Sequence, residues 1–291
     1  MILAVELATR LGLRKCKRDW RGSCPSCEYP TSFSVSAGSD GRALAWCSSC
    51  QDRDGLTNAL NRITVGAWSP PERRAPQDEH EAKALKQEAA RRLWNGSVAA
   101  VGTLVDTYLT HRCLPRLAAS PILRYRDDCH HPQGGSLPAM VALVVDFAGS
   151  PIGAHRTYLD RATARKADVE PAKASLGPIW GGAIRLQPIQ PQQPLIIGEG
   201  IETAASAGLM IGAPAWAAIS CGNLEYGLVL PPQAQNIIIA ADKDDPGAKA
   251  AQAAAQAAAR RWSAEGRQVR IARPNGPGDF NYQLRWDAQH G

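Results

Sequence analysis

The sequence predicts a mixed α/β protein with a small cysteine-rich module near its N-terminus and a parallel sheet covered by helices near its C-terminus. Two Cys-x-x-Cys pairs stand within the first 50 residues, and short apolar strands alternate with helical stretches after residue 194. The stretch between them combines helical patterns with apolar strands, which predicts a basic α+β subdomain. The 291 residues are 44% hydrophobic and 21% charged, so the chain can bury a core and is not disordered by composition.

Charge and hydropathy narrow the class of partner. The net charge is +6, with 9 Lys and Arg against 6 Asp and Glu in residues 1–62, but 8 against 9 in residues 194–291. A basic N-terminal part and an acidic C-terminal part suit a protein that binds a polyanion and brings metal-binding carboxylates to it. The apolar runs are far shorter than the roughly 20 residues of a membrane span, and Glu6 and Arg10 interrupt any signal-peptide pattern. We therefore expect a cytoplasmic protein with no membrane partner.

Four of the eight cysteines form a metal-binding pattern. Cys24 and Cys27 make one Cys-x-x-Cys pair, Cys47 and Cys50 make the other, and nineteen residues separate the pairs. Four thiolates at this spacing suit the tetrahedral coordination of one structural Zn²⁺ ion. Alternating apolar residues between the pairs predict two short strands joined by a hairpin turn. Two disulfides of a secreted domain, or a redox pair, are the alternative interpretations, which an intracellular location disfavours.

The remaining cysteines carry no such pattern. Cys129, His130 and His131 have suitable residue types for a second metal site, but the sequence offers no partner pair for them. The four-cysteine ribbon is therefore the strongest local signal in the chain.

Helical repeats and basic side chains flank the ribbon. Apolar residues recur at helical spacing over residues 3–11 and again over residues 56–63. Between the first helix and the cysteines, basic residues that include Arg21 surround Trp20. This combination suits single-stranded nucleic acid, through phosphate contact and base stacking. A solvated basic face with one buried tryptophan explains the pattern equally well.

Proline-rich segments divide the chain. The segment from Ser69 to Pro76 breaks helix and strand alike, and the segment from Gln187 to Pro194 forms a second hinge. We predict four parts: a zinc-ribbon DNA-binding module at 1–66, a linker at 67–77, a helical and basic subdomain at 78–190, and a C-terminal catalytic domain at 191–291.

After residue 194 the pattern is strand, helix and strand in repeats. Apolar runs predict strands at 195–198, 215–220, 236–241 and 268–272, with a helix after the first and an alanine-dense helix after the third. Such alternation predicts a parallel sheet with covering helices.

Three acids follow strand ends of this predicted sheet. Glu199 ends the first strand, and Asp242 and Asp244 end the third. Chemistry collects at the carboxyl ends of parallel strands, and an Asp-x-Asp pair leaving a strand puts both carboxylates on one side. Clustered carboxylates repel one another and need a hard cation, so we predict Mg²⁺ or Mn²⁺ here. Solvated loop acids are the alternative interpretation.

Three motifs in this region resemble the Toprim signature. They are Gly198-Glu199-Gly200-Ile201-Glu202-Thr203-Ala204, Ala241-Asp242-Lys243-Asp244-Asp245-Pro246-Gly247 and Gly278-Asp279-Phe280-Asn281. Together with the four-cysteine ribbon, they make the chain similar to DnaG-type Toprim primases, and most of all to the compact primases encoded by plasmids and phages. The resemblance extends from the ribbon to about Leu284.

The resemblance implies an activity and its partners. It implies a DNA primase, a nucleotidyltransferase that makes short RNA primers on single-stranded DNA during plasmid or phage replication. The implied partners are a single-stranded DNA template, ribonucleoside triphosphates and a replicative helicase.

It also implies roles for particular residues. Glu199, Asp242 and Asp244 would carry Mg²⁺ or Mn²⁺ for nucleotidyl transfer, and Asp279 would be a further acid beside them. A basic surface would hold template, nucleotide or primer, and its implied members are Arg156, Lys166 and Lys173.

The chain departs from the DnaG pattern at the outer metal ligands. Thr203 stands where that form has an acid, Asn281 stands where a second late acid often occurs, and Tyr282 replaces a frequent closing aspartate. The central triad is unaffected.

Two other functions use similar parts. A non-catalytic RecR-like protein couples a four-cysteine zinc site to a Toprim fold, and a Toprim nuclease uses the same acids with water as the nucleophile. The 148 residues between Cys50 and Glu199 disfavour the RecR-like alternative, whose zinc site directly precedes its Toprim fold.

Overall fold

The chain divides into two compact units, Met1–Pro76 and Gln77–Gly291. The computed structural model describes residues 2–16, 19–30, 32–38, 40–50, 52–65, 68–70, 76–243 and 248–290, without the side chains at 76, 77, 79 and 248–250. The predicted mixed α/β class is confirmed, because helices accompany three separate sheets. Within these ranges no helix is both long and apolar enough to cross a bilayer.

The first unit is an antiparallel ribbon with two helices. Its four strands pair in chain order, each antiparallel to the next. The elements are α1 (Ala4–Arg10), β1 (Arg14–Cys16), β2 (Asp19–Gly22), β3 (Phe33–Ala37), β4 (Ala43–Cys47) and α2 (Arg53–Thr64).

Alternation along β3 and β4 builds the core of this unit. Phe33 and Val35 are fully buried, whereas Ser34 and Ser36 between them are partly exposed. Period-two alternation of this kind buries one face of a sheet and solvates the other. The two strands predicted between the cysteine pairs are therefore present, and β1 and β2 extend the sheet beyond that prediction.

The second unit begins with helices and an antiparallel sheet. Strands β5 to β9 pair in chain order. The elements are α3 (Pro76–Asn95), β5 (Val98–Ala99), α4 (Leu104–His111), a 3₁₀ turn (Pro115–Ala119), β6 (Leu123–His130), β7 (Ser136–Val145), β8 (Pro151–Tyr158) and β9 (Lys173–Leu176).

The second unit continues with the predicted parallel sheet. Its strand order is β10-β12-β11-β13-β14, and all pairs are parallel except β10 with β12. The elements are β10 (Ile184–Arg185), β11 (Leu195–Gly198), α5 (Ile201–Ile211), β12 (Ala215–Ala217), a π-helical turn (Asn223–Gly227), β13 (Asn236–Ala240), α6 (Ala248–Ala264), β14 (Gln268–Ala272) and α7 (Phe280–His290).

One hydrophobic core joins the two sheets of the second unit. It contains Leu109 of α4, Met140 of β7, Ile196 of β11 and Phe280 of α7. Because this core draws on both sides of residue 190, the boundary between a middle subdomain and a C-terminal domain stays a prediction.

Gly198 sets how closely α5 follows β11. A Cβ at Gly198 would lie 2.8 Å from the backbone nitrogen of Ala204, closer than side-chain carbons come to backbone atoms. Only glycine lets the helix start so near the strand, and this close approach places Glu199 at the strand end and Glu202 in the first turn of the helix.

Candidate metal centres and their surroundings

The four predicted cysteine ligands lie together in the first unit. The Sγ atoms of Cys24, Cys27, Cys47 and Cys50 all lie within 4.8 Å of one another. The Sγ atoms of Cys27 and Cys47 are 3.8 Å apart, and a tetrahedral site with Zn–S bonds of about 2.3 Å requires sulfurs about 3.8 Å apart. The cluster therefore has the size of a tetrahedral metal site.

Polar groups contact two of the four sulfur atoms. The Ser26 backbone N–H lies 3.4 Å from the Sγ of Cys24, and the Ser32 hydroxyl lies 3.2 Å from the Sγ of Cys47. Contacts from Cys24 and the other two thiols, with a smaller one from Ser32, hold the pKa of Cys47 below its usual value. The same thiol contacts raise the pKa of Cys24 and of Cys50. A metal binds the thiolate rather than the thiol, so Cys47 is the member of the cluster that its surroundings favour as a ligand.

The second cysteine–histidine cluster does not form a metal site. Cys129 is buried in a small hydrophobic core, and His130 is exposed. His131 has partners at both ring nitrogens, because Nε2 lies 3.1 Å from the Pro171 carbonyl and Nδ1 accepts from the Gln133 backbone. Among the residues that the structure describes, the four cysteines are the one group of metal-binding side chains.

Trp20 and Arg21 occupy opposite faces of strand β2. Trp20 pairs with Val35 and packs against the core, and the Nζ of Lys15 lies 3.4 Å from the centre of its ring. Arg21 pairs with Ser34 on the outer face, and its guanidinium lies 3.5 Å from the Asp19 carboxylate.

The outer face of the ribbon carries an aromatic residue that the sequence analysis did not single out. Register places Arg14, Arg21, Ser34 and Trp46 in one row across the four strands. Trp46 is 50% exposed. Directly paired residues point to the same face, so this ribbon face offers two arginines and an exposed indole together.

The carboxyl edge of the parallel sheet brings Glu199 and Asp242 to neighbouring positions. Gly198 pairs with Ala240 across β11 and β13, so Glu199 and Asp242 follow adjacent strands at the same edge. The buried thiol of Cys221 donates to the Oε2 of Glu199 over 2.9 Å. Asp244, the third predicted ligand, lies outside the described residues.

Asp279 is tied to the same edge by one backbone hydrogen bond and one side-chain hydrogen bond. The backbone N–H of Lys243 donates to the Gly278 carbonyl over 2.9 Å, which sets the chain after Asp242 beside the chain before Asp279. The hydroxyl of Thr203 donates to the Oδ2 of Asp279 over 3.4 Å. Its Oδ1 accepts from the Tyr282 backbone and so caps α7. These contacts place the chain at Asp279 beside the chain at Asp242, at the edge where β11 ends before Glu199.

Asn281 is buried, and its side chain makes hydrogen bonds to other helical segments instead of lying at this edge. It is 1% exposed, and its amide donates to the Arg112 carbonyl and to the Ser206 hydroxyl. The Arg112 guanidinium donates to its oxygen over 3.2 Å. This residue therefore joins α7 to α4 and α5.

Two of the three predicted basic residues lie next to the acidic edge. The Nζ of Lys173 on β9 is 3.6 Å from the Oε2 of Glu202 on α5. It is also 3.6 Å from the position of a Cβ at Gly200, the residue after Glu199. Lys166 helps to lower the pKa of Glu202, and Lys173 helps to lower the pKa of Lys166.

Charge and burial set the protonation of this group. Burial lowers the pKa of Lys166 to about 8, and the Glu202 carboxylate opposes that effect. The same carboxylate raises the pKa of Lys173. Burial raises the pKa of Glu202, but Lys173, Lys166 and the Tyr108 hydroxyl together outweigh burial and hold it well below its usual value. Glu202 is therefore ionised at neutral pH.

Arg156 is buried, and its guanidinium bonds backbone carbonyls. It is 6% exposed, and its guanidinium donates to the carbonyls of His130, Ala174 and Ser175 over 3.0–3.3 Å. These contacts hold β6, β8 and β9 together. Contact of Arg156 with nucleic acid or nucleotide stays a prediction.

Glu202 and Tyr108 are the site residues that the sequence analysis missed. Glu202 is one of eight consecutive buried residues at the start of α5, and an ionisable group inside such a run signals a buried partner. That partner, Tyr108, donates a hydrogen bond of 2.5 Å from α4.

The C-terminal part of the chain matches a known domain family. The model of the Toprim domain matches residues 194–288, which contain β11 to β14 and the acidic edge. Residues 194–288 form a Toprim domain. The model of a domain of unknown function, DUF7146, matches residues 84–186, which precede the Toprim domain. No curated protein matches the sequence significantly.

Solved structures similar to this chain include three primases. The zinc-binding and RNA polymerase domains of the Aquifex aeolicus primase are 15% identical, with 99% of this chain and 82% of that chain covered at a TM-score of 0.48. The primase fragment of the bacteriophage T7 primase-helicase protein is 14% identical, with 91% and 93% covered at 0.43. A DnaG primase catalytic domain bound to single-stranded DNA is 15% identical, with 72% and 81% covered at 0.48.

Proposed function

We propose that this chain is a DNA primase that makes short RNA primers on single-stranded DNA, in the replication of a plasmid or phage. The observation that supports the proposal is the carboxyl edge of the parallel sheet, where Glu199 and Asp242 follow adjacent strands and the Nζ of Lys173 lies 3.6 Å from Glu202 on the following helix. Carboxylates supply oxygen ligands for a divalent cation, and ammonium groups beside them attract the phosphates of a nucleotide.

In this proposal the acids hold Mg²⁺ or Mn²⁺. Carboxylate oxygens are the donors that these hard cations prefer, so the residues at this edge fit the ion. Glu199, Asp242 and Asp244 are its ligands, and Asp279 is a further acid. The bound cation would stabilise charge at phosphorus while a primer 3′-hydroxyl attacks the α-phosphate of a ribonucleoside triphosphate and pyrophosphate leaves.

The chain's own side chains orient the reactants around these acids. The Cys221 thiol bonds one oxygen of Glu199 and so fixes the rotation of its carboxylate. The side chain of Lys173 is 36% exposed, so its ammonium can contact the phosphates of a nucleotide. Arg156 supports this surface by joining the strands that carry it.

The first unit serves as the template-binding module. One Zn²⁺ bound by the four cysteines holds its small core together, as structural zinc does in other ribbons. On the outer face Arg21 contacts phosphate and Trp46 stacks on a base. Trp20 contributes through Lys15, which lies over its ring. A replicative helicase in the same cytoplasm is the further proposed partner.

Primer synthesis tests the proposal directly. Purified protein is incubated with single-stranded DNA, labelled ribonucleotides and Mg²⁺ or Mn²⁺, and the products are resolved by length. We expect short RNA products that depend on both template and divalent cation. Bound DNA without products would support the RecR-like alternative, and shortened template would support the nuclease.

A further inference from the structure

Glu202 is a buried carboxylate held by two other elements of the second unit. It is 5% exposed. Its Oε1 accepts the hydrogen bond of 2.5 Å from the Tyr108 hydroxyl on α4. Its Oε2 faces the Nζ of Lys173 on β9 over 3.6 Å. Both oxygens therefore have partners, so Glu202 is not arranged as a ligand of the catalytic cation.

A buried carboxylate needs interactions that compensate for its lost hydration. Removing a carboxylate from water is costly unless it is paired and hydrogen-bonded. The other seven residues from Ile201 to Gly208 are buried and uncharged, so packing alone would favour an uncharged side chain at position 202 as well. The ion pair with the ammonium group of Lys173 explains why this residue is a carboxylate.

The ammonium group of Lys173 lies close to the backbone at the carboxyl edge of the parallel sheet. The Nζ of Lys173 is 3.6 Å from the position of a Cβ at Gly200, so it rests against the backbone that directly follows Glu199. The Glu199 carboxylate also contributes to raising the pKa of Lys173. Lys173 therefore pairs with a buried acid and also feels the charge of a predicted metal ligand.

We propose that Glu202 is a positioning residue that holds the Lys173 ammonium beside Glu199, where this ammonium receives the polyphosphate of the incoming ribonucleoside triphosphate. Tyr108 fixes the carboxylate, and the carboxylate fixes the lysine. This inference rests on the proposed function and names the substrate group that Lys173 takes, namely triphosphate rather than template.

Local charge supports the choice of polyphosphate. Lys166, Lys173 and Arg112 act electrostatically on Glu202 or on each other, and the acids that act on them are Glu202 and Glu199. Three cations against two acids leave one positive charge in excess. A polyphosphate carries several charges in a short length and can contact both the cation and the lysine.

Nucleotide binding without template tests this inference. The dissociation constant of ATP with Mg²⁺ is measured by calorimetry for the wild-type protein, Glu202→Gln, Lys173→Gln and the double variant. Glutamine keeps the shape of the side chain and can still accept from Tyr108. We expect Glu202→Gln to weaken ATP binding by about 5- to 20-fold, and the double variant to bind within about 2-fold of Lys173→Gln alone. Such non-additivity shows that Glu202 acts through Lys173.

Matched controls separate this result from a general loss of structure. Glu88→Gln removes a carboxylate from α3 that pairs with Arg91 at the surface, and we expect it to bind ATP as the wild type does. Tyr108→Phe removes the orienting hydroxyl and should weaken binding in the same direction, which keeps the test open if Glu202→Gln does not fold.

Three results would overturn the inference. Additive losses in the double variant would mean that Glu202 acts independently of Lys173. Tighter ATP binding by Glu202→Gln would mean that the carboxylate merely competes with phosphate for the lysine. A wild-type protein that binds no ATP would also refute it, whereas ATP binding without primer synthesis would contradict only the proposed function.

Discussion

The hydroxyl of Thr203 donates a hydrogen bond to the Oδ2 of Asp279 over 3.4 Å, and so links the first and last of the Toprim motifs. Thr203 stands where the DnaG form of the first motif has an acid. An acid here would repel Asp279, whereas the threonine hydroxyl holds it. Thr203 therefore replaces a metal-binding acid with a side chain that orients Asp279.

Replacing Thr203 by valine should raise the Mg²⁺ concentration that nucleotide incorporation requires. The substitution removes the hydroxyl that orients Asp279 and keeps the size of the side chain. We expect the half-saturating Mg²⁺ concentration to rise by about 3- to 10-fold, measured from incorporation rates across a Mg²⁺ titration. Thr163→Val is the control, because it removes a similar threonine–aspartate bond, to Asp160, from an exposed loop. An unchanged Mg²⁺ dependence in Thr203→Val would contradict this role.

Metal analysis should find about one zinc ion per chain, and Cys47→Ser should lose it. Cys47 is 1% exposed and belongs to the four-thiol cluster, so its loss removes one ligand from the core of the first unit. Cys16→Ser is the matched control, since Cys16 lies in the same unit outside the cluster and should leave zinc bound. Protein purified without chelator that contains no zinc would refute the ribbon assignment.

ATP binding should weaken as the pH rises through the pKa of Lys166. This pKa is lowered to about 8, chiefly by burial, so the side chain is cationic below that pH and neutral above it. Affinity for phosphate should therefore fall between about pH 7 and pH 9 in the wild type. Lys166→Arg should flatten the profile, because arginine stays protonated throughout that range. A wild-type profile that is already flat would show that Lys166 does not contact the nucleotide.

Replacing Arg21 by alanine should weaken binding of single-stranded DNA and reduce its salt dependence. One lost phosphate contact should lower the slope of log K against log salt concentration by about 0.7. Arg42→Ala is the control, since this arginine of the same unit pairs with Asp40 at 2.6 Å. Fluorescence anisotropy with a labelled oligonucleotide measures both. If the salt-dependence slopes of Arg21→Ala and the wild type are equal, Arg21 does not contact the template and the proposed role of this ribbon face is wrong.

The parallel sheet could be predicted from the sequence because its strands carry their own signal. Strands β11 and β13 are apolar runs buried on both faces, and Glu199 directly follows β11 while Asp242 stands two residues after β13. Their burial follows from composition alone. The acids at their ends could then be grouped by the rule that parallel strands end at one edge.

Polar strands were missed because their stability comes from distant partners. Strand β1 has no apolar alternation and is held by pairing with β2. Strand β6 carries Arg124 and Arg126, whose guanidinium groups bond the carbonyls of Trp94 and Gly96 about 30 residues away. Tertiary contacts of this kind override local propensity and leave no local signal.

The same limit applies to the site. Glu199 and Asp242 were predicted because strand ends identify them, whereas Glu202 was not singled out because its partner Tyr108 is 94 residues away. The resemblance implied that Arg156 belongs to a basic surface, and its carbonyl partners on β6 and β9 explain why it is buried instead.

The most direct test of the catalytic edge is RNA primer synthesis by Asp242→Asn. Asparagine keeps the size of the side chain and removes the charge that would hold the cation. We predict that incorporation falls by more than about 100-fold, while the fold and binding of single-stranded DNA stay as in the wild type. Asp287→Asn, an exposed acid on α7, should keep full activity. Wild-type incorporation by Asp242→Asn would contradict the proposed metal site and with it the account of this edge.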